Sequence, residues 1–292
     1  MKTTMKSTSI LKGFFAAALV GTVTFSAMRA NAAHEMIYGV DQNNNLVNFW
    51  SDTPGTIINA FSINGIKPAE SIRGIDFWQG TIFGFGSFGE LYTLNPINGV
   101  ATEVGTGFGV TPNGASFGVD NGPAGFVVVS GLGQNLLVNR STGLATVEPS
   151  LSYAPLDPNA GKSPRVDALA YDDAASKWYG LDTLANTLVT LDPTTGVLNT
   201  IGANGIDTSR FNGADISDAT GILYLGTPAA SSDPQSNLYT VNKATGAATL
   251  VGQIDYPTAD TLVGGITVVP EPSTIALLAL GALGLSFARR RQ

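Results

Sequence analysis

The most regular feature of this 292-residue chain is a short apolar strand that returns five times. Its copies are Asn45-Leu46-Val47, Glu90-Leu91-Tyr92-Thr93-Leu94, Asn135-Leu136-Leu137-Val138, Asn186-Thr187-Leu188-Val189-Thr190-Leu191 and Asn237-Leu238-Tyr239-Thr240-Val241. The leucines Leu46, Leu91, Leu136, Leu188 and Leu238 are 45, 45, 52 and 50 residues apart. Four copies run into a turn and a second strand. Asn95-Pro96-Ile97-Asn98-Gly99 precedes Val100-Ala101-Thr102-Glu103-Val104, and Asp192-Pro193-Thr194-Thr195-Gly196 precedes Val197-Leu198-Asn199-Thr200-Ile201. Ser141-Thr142-Gly143 and Ala244-Thr245-Gly246 belong to the same kind of turn, in which Asn or Asp initiates, Pro presets φ and Gly takes the left-handed position.

Two more strands precede each copy. One resembles Ile82-Phe83-Gly84-Phe85, with Ile37-Tyr38-Gly39-Val40, Phe126-Val127-Val128-Val129, Trp178-Tyr179-Gly180-Leu181 and Leu223-Tyr224-Leu225-Gly226 as counterparts. The other is built from small residues: Arg73-Gly74-Ile75-Asp76-Phe77, Asn113-Gly114-Ala115-Ser116-Phe117, Asp167-Ala168-Leu169-Ala170-Tyr171, Asn212-Gly213-Ala214-Asp215-Ile216 and Gly264-Gly265-Ile266-Thr267-Val268. Four strands every ~45–50 residues is the period of a β-propeller blade. The pattern predicts an all-β, five-bladed β-propeller with the small-residue strand innermost, where blades crowd the axis. The chain enters at a second strand and leaves at a first, so 264–268 is expected to pair beside 37–40 and close the ring, removing exposed edges. A β-solenoid is the alternative, with a shorter repeat and no such closure. The recurring aromatics Tyr38, Phe83, Trp178, Tyr179 and Tyr224 read as core rather than as a sugar platform. The body, 33–268, resembles an uncharacterised family of secreted bacterial domains rich in L-Y-T-L and N-P-x-T-G repeats, to which no activity is assigned.

The two ends read differently from the body. Residues 1–32 form an expected signal peptide: Lys2, Lys6 and Lys12 are its basic region, 13–27 its apolar run, and Ala30-Asn31-Ala32 supplies the small residues for cleavage before Ala33. At 269–292, Val269-Pro270-Glu271-Pro272-Ser273 leads into an apolar stretch and then Arg289-Arg290-Arg291. This segment resembles the PEP-CTERM sorting signal. The resemblance implies a Gram-negative bacterium, processing by an exosortase-type enzyme and association with exopolysaccharide or biofilm. The stretch 273–288 makes a single transmembrane helix about 24 Å long, short for a hydrocarbon core of ~30 Å. The arginines should stay cytoplasmic and leave the body outside. The expected partners are therefore signal peptidase, the exosortase-type enzyme and, transiently, the inner membrane. The expected destination is the cell surface or the extracellular space.

Composition narrows the chemistry. With no cysteine, thiolate catalysis and Cys-ligated metals are excluded, and the only histidine, His34, sits beside the expected cleavage site. Without its two ends the body carries eight basic and 21 acidic residues, a net charge of −13, which disfavours nucleic acid. Gly84-Phe85-Gly86-Ser87-Phe88-Gly89 matches G-x-G-x-x-G but leads into a strand, not a helix, so it reads as a glycine-rich hairpin. Asp41-Gln42-Asn43-Asn44-Asn45 begins like a calcium loop but lacks the glycine and the glutamate, and reads as a hairpin turn. The inner strands carry the candidate ligand-facing residues: Arg73, Asn113, Asp167 and Asn212 at one position, Asp76, Ser116 and Asp215 at another. The blander expectation is that they bond to neighbouring blades. No catalytic residue, metal site or cofactor is assigned. The expected function is a non-enzymatic surface or matrix propeller that binds an extracellular polysaccharide or a protein. The alternative is a carboxylate-dependent hydrolase or lyase acting on polysaccharide.

Overall fold

The computed structural model describes residues 34–208, 211–228, 230, 232–254 and 262–270. The expected leader with Ala30, Ala32 and Ala33, and the tail from Glu271 through Ser273 and Arg289 to Arg291, lie outside the described residues. Within them there are strands and turns and no helix.

The strands form five sheets. The first contains β1 (Met36–Asp41), β2 (Asn45–Trp50) and β3 (Asn59–Ser62). The second runs through β4 (Ile72–Trp78), β5 (Thr81–Gly86), β6 (Leu91–Leu94) and β7 (Ala101–Val104). The third holds β8 (Phe117–Asn121), β9 (Phe126–Ser130), β10 (Asn135–Val138) and β11 (Ala145–Val147). A short β12 (Ser152–Tyr153) precedes the fourth sheet, made of β13 (Val166–Asp172), β14 (Lys177–Asp182), β15 (Thr187–Asp192) and β16 (Val197–Ala203). The fifth is β17 (Gly213–Ile216), β18 (Leu223–Pro228), β19 (Ser236–Val241) and β20 (Ala248–Gln253). Finally β21 (Val263–Val269) returns to the first sheet and lies antiparallel to β1, with Ile37 opposite Val268 and Tyr38 opposite Thr267. The ring therefore closes as the repeat pattern predicts, and the solenoid alternative is set aside.

Local chemistry explains why the same hairpin recurs. In blades two to five the side-chain oxygen of Asn95, Asn139, Asp192 or Asn242 accepts the amide two residues on, at 2.9–3.0 Å. Four residues on, Gly99, Gly143, Gly196 or Gly246 donates its own amide back to that residue's carbonyl. All four glycines have φ between 68° and 82°, a region in which a side chain is strained. The G-x-G-x-x-G segment is likewise the hairpin between β5 and β6. Asp41 caps the β1–β2 turn through the amides of Asn43 and Asn45.

Apolar side chains fill the space between neighbouring sheets in five separate clusters, one per blade interface. The recurring aromatics Phe83, Trp178, Tyr179 and Tyr224 are buried there, and Tyr38 packs against the edge of one cluster. Blade four carries an extra outer strand, because β12 adds parallel to β16, and this insertion accounts for the longest leucine spacing. Near the chain's entry point, Glu35 accepts hydrogen bonds from Ser217, Thr220 and Tyr224 of blade five, a second tie across the closure.

At the axis the inner strands touch through backbone. A Cβ on Gly118 would stand 2.8 Å from the carbonyl carbon of Ala168 in the next blade, and one on Gly213 would stand 2.2 Å from the amide nitrogen of Ile266. The neighbour in each case is main chain and cannot rotate aside. One register differs from the expectation. The inner strand of blade three is 117–121, not 113–117, so Asn113 and Ser116 precede the strand and Gly118-Val119-Asp120 holds the place expected for Gly114-Ala115-Ser116. Gly118 decides this, since only a residue without a side chain fits against Ala168.

Gly213→Ala should accordingly lower the unfolding free energy by about 1–3 kcal/mol, the usual range for overpacking. In Gly55→Ala the new methyl meets nothing closer than 3.7 Å, so this variant should melt like the parent. Chemical denaturation of both measures this, and equal midpoints would contradict the close ring.

Candidate functional site

Each inner strand carries one equivalent position near its C-terminal end. In chain order these are Asp76, Asp120, Ala170, Asp215 and Thr267, each two residues after the small residue that packs against the next blade. Three of the five are carboxylates, and one oxygen from each of Asp76, Asp120 and Asp215 lies within 4.8 Å of the others. They line a cavity of about 200 Å3 together with Trp78, Asn121 and Tyr171, and with the exposed Asp173 and Asp218 at its rim. The three inner carboxylates are only 4–8% exposed.

Neutral donors hold most of their oxygens. Phe77 N–H donates to Asp76 Oδ1 at 2.7 Å. Asn121 N–H and Tyr171 N–H donate to the two oxygens of Asp120, each at 2.6 Å. Val268 N–H and the Thr267 hydroxyl donate to Asp215 Oδ2 at 2.6 and 2.9 Å. Among the described residues, Asp76 Oδ2 is buried with no hydrogen-bond partner. The nearest cation, Arg140, is engaged elsewhere: its guanidinium lies 4.8 Å from the centre of the Trp78 ring and bonds to Asn121 Oδ1 and the Gly122 carbonyl.

Burial disfavours ionisation, and the Arg140 charge acting on Asp76 does not offset it. It pushes the Asp76 carboxyl up to about 7, against partial relief from its hydrogen bonds. Asp120 is pushed well above the usual carboxylate range by burial and then by the charges of Asp76 and Asp215. Asp215 moves the same way through burial, Asp76 and, further out, Asp218. Such a cluster is a poor place for three bare anions and a suitable one for a bound cation or a retained proton.

The opposite mouth is different in character. There a cavity of about 300 Å3 is lined by Asp41, Gln42, Ser71, Arg73, Ser116 and Asn212, among others. Asp167 is fully buried beneath it and satisfied across three blades: Asn212 Nδ2 donates to one oxygen at 3.1 Å, and the hydroxyls of Ser116 and Thr183 to the other at 3.0 and 3.1 Å. Burial still raises its pKa to about 6. Arg73 is half-buried and has no ion pair among the described residues.

The candidate residues read from the sequence thus divide into three groups. Asp76 and Asp215 meet at the acidic mouth. Arg73, Asp167 and Asn212 share the other, where Asp167 and Asn212 bond to neighbouring blades. Asn113 joins neither set: it is an exposed loop residue whose amide donates to Gln134 Oε1 at 2.6 Å. Asp120 was missed by the sequence reading because blade three was placed four residues too early. The signal that finds it is the triplet Gly118-Val119-Asp120, parallel to Gly74-Ile75-Asp76 and Gly213-Ala214-Asp215. His34 stands apart from both mouths, stacked 4.0 Å from Trp50 with Nδ1 2.9 Å from Asp52.

Comparison with known proteins places this geometry in a family. The model for a domain of unknown function, DUF4394, matches residues 45–266, and the PEP-CTERM protein-sorting motif matches 268–292. No curated protein matches the sequence. Among solved structures, a protein of unknown function from Bacteroides caccae is 11% identical with a TM-score of 0.49, covering 82% of this chain and 100% of its own. A protein of unknown function from Bacteroides thetaiotaomicron is 15% identical with a TM-score of 0.48, covering 80% of this chain and 64% of its own. The glutaminyl cyclase of Myxococcus xanthus is 12% identical with a TM-score of 0.42, covering 75% of this chain and 95% of its own. None of these likenesses bears on what the chain does.

The acidic mouth sets a pH dependence of definite sign. Folding raises the pKa values of Asp76, Asp120 and Asp215, so above about pH 4 the native state keeps protons that the unfolded chain has released, at Asp76 up to about pH 7. Stability from Asp76 is complete below about pH 4 and is lost as pH rises through about 7, and the raised carboxyls of Asp120 and Asp215 act with the same sign. Asp157, Asp172 and Asp192 are shifted downward and act only at lower pH, outside this window. In chelator-treated buffer the melting temperature should therefore fall steadily from pH 5 to pH 8. A flat or rising profile would contradict the electrostatics described.

Proposed function

We propose that this chain, which belongs to the DUF4394 family of domains of unknown function, is a non-enzymatic binding propeller of the cell surface or extracellular matrix. Its PEP-CTERM motif marks it as a secreted, membrane-transiting protein of a Gram-negative bacterium, processed by exosortase-type machinery. The ligand in this reading is an extracellular polysaccharide, held at the mouth that contains Arg73.

One observation carries the choice. Arg73 is a half-buried guanidinium without an ion pair among the described residues, lining the roomier of the two mouths beside Gln42, Ser116 and Asn212. A planar fork of donors next to hydroxyl and amide groups suits sugar hydroxyls and an occasional carboxylate-bearing unit. The net acidity of the body favours a polymer of low charge. Binding is preferred to hydrolysis because the carboxylates that would serve a glycosidase are buried and tied to backbone amides. A glycosidase pair must instead flank an accessible sugar at about 5–5.5 Å or 6.5–9.5 Å.

Two measurements test this reading. Arg73→Ala should weaken binding to exopolysaccharide isolated from the host by about tenfold or more, since hydrogen bonds to charged groups contribute about 1.5–3 kcal/mol. Calorimetry reads the affinity, and an unchanged value would sink the assignment of this mouth. Release of new reducing ends during incubation would establish the hydrolase or lyase instead. For sorting, replacing Pro270, Glu271 and Pro272 by Ala should leave export intact and trap full-length protein in the membrane. Replacing Arg289, Arg290 and Arg291 by Gln should weaken anchoring and release unprocessed protein. Mass and location of the C-terminal fragment in a host with an exosortase distinguish these outcomes. Normal processing of the Pro-Glu-Pro variant would show that the motif is not what is read.

A further inference from the structure

We propose that Asp76, Asp120 and Asp215 form a binding site for a hard divalent cation of calcium size at the acidic mouth. The site lies at the opposite end of the inner strands from Arg73 and does not depend on the polysaccharide reading.

Geometry comes first. The three carboxylates belong to three different blades, on β4, β8 and β17, and their oxygens converge to within 4.8 Å. Oxygens on opposite sides of Ca2+ are separated by twice the metal–oxygen distance, about 4.6–5.2 Å, whereas Mg2+ holds them about 4.0–4.2 Å apart. Oxygens held within 4.8 Å of one another fit inside a calcium shell, and the flexible coordination of Ca2+ accepts a preset cluster better than Mg2+, which demands near-ideal octahedral geometry and gives up its waters reluctantly. All the donors are carboxylate oxygens, with no imidazole or thiolate in the cluster, which selects hard cations over zinc or copper. The cavity of about 200 Å3 leaves room for the waters that complete a shell of six to eight oxygens.

A second observation points to a ligand independently of the clustering. Asp76 is 4% exposed, lines the cavity, and its Oδ2 is buried with no hydrogen-bond partner among the described residues. Buried carboxylate oxygens are rarely left bare, because the lost hydration is not replaced. Asp167 shows how this same fold satisfies a buried aspartate from within: three side chains from three blades donate to it. At Asp76 the corresponding capacity is left open. Among the described residues every donor that reaches the three carboxylates is neutral, and Arg140 is committed to Asn121, Gly122 and Trp78. A divalent cation supplies the missing positive charge, and the rim carboxylates Asp173 and Asp218 draw it in. Once bound, it cross-links blades two, three and five from inside the ring.

The rival occupant is a proton shared between Asp76 and Asp120, whose carboxyl groups lie within hydrogen-bonding reach. The two are separated with full-length protein in detergent micelles, stripped with EDTA at pH 7.5. Thermal unfolding and calorimetry follow added CaCl2 and, separately, MgCl2. The expected result is one Ca2+ per chain, a melting temperature that climbs with Ca2+ by several degrees, and a weaker response to Mg2+. Asp76→Asn keeps the shape and removes one buried charge. It should fold, melt above the parent in EDTA, and lose about 100-fold or more in calcium affinity, the upper end of what even outer-shell changes cost a metal site. Asp173→Asn, at the rim, should keep most of the response, and Arg73→Ala all of it. The proposal is overturned if Ca2+ gives neither heat nor a melting shift, the result expected of a shared proton. It is equally overturned if Asp76→Asn binds Ca2+ like the parent, or if Mg2+ acts at the same concentrations as Ca2+.

Discussion

The structure depends on how closely the inner strands pack around the axis. There the contacts are backbone on backbone, as at Gly118 against Ala168 and Gly213 against Ile266, and they leave no volume for a side chain at those two positions. Two consequences follow. The five apolar clusters between sheets are forced outward from the axis, where large residues such as Phe85, Tyr224 and Leu198 fill them. Equivalent positions on the inner strands are brought close together whatever their chemistry, which is how three aspartates from distant parts of the chain come to share one small cavity. The tight ring and the acidic site are products of the same constraint.

Two buried aspartates show the difference between a structural and a functional use of one residue type. Asp167 gathers hydroxyl and amide donors from blades three, four and five and so works as a rivet between them. Asp76 Oδ1 receives the Phe77 amide and a long contact from Thr267, and Oδ2 has no partner among the described residues. Both carboxyls are raised by burial, so the shift alone does not tell them apart. Their partners do.

Much of the architecture was legible in the sequence because the repeating signals have local causes. The Asn/Asp…Gly hairpins announce themselves through the side-chain oxygen and the left-handed glycine that each requires. The Leu46–Leu91–Leu136–Leu188–Leu238 series marks one buried strand in every blade. Ring closure followed from which strand of a blade the chain starts and ends on. The inner strands were harder to read. Their residues are small for reasons of packing across blades, and a small-residue string such as Asn113-Gly114-Ala115-Ser116 looks the same whether or not it meets a neighbour. Choosing Gly118 over Gly114 requires knowing that Ala168 sits opposite, which is tertiary information. That slip of register hid Asp120, and with it the fact that Asp76 and Asp215 have a third partner. The separation of the two mouths was illegible for a similar reason, because Arg73 and Asp76 are close in sequence but point to opposite ends of one strand.

The closing strand also ties the fold to export. β21 ends at Val269 and the sorting motif begins at residue 268, so the segment read by the processing machinery continues directly from the strand that seals the propeller. The ring can be completed only when β21 is available to β1, a pairing between opposite ends of the body that must overcome a large loop-closure entropy before its contacts form. If closure by β21 is the constraint on which the ring depends, its amides belong to the most protected set in the molecule. Native-state hydrogen exchange resolved by residue measures this directly. The account predicts that the β21 amides, Val268 among them, exchange only with global unfolding, together with those of β1 and β4. Exchange of β21 in a separate, lower-energy opening while the other inner strands stay protected would contradict it.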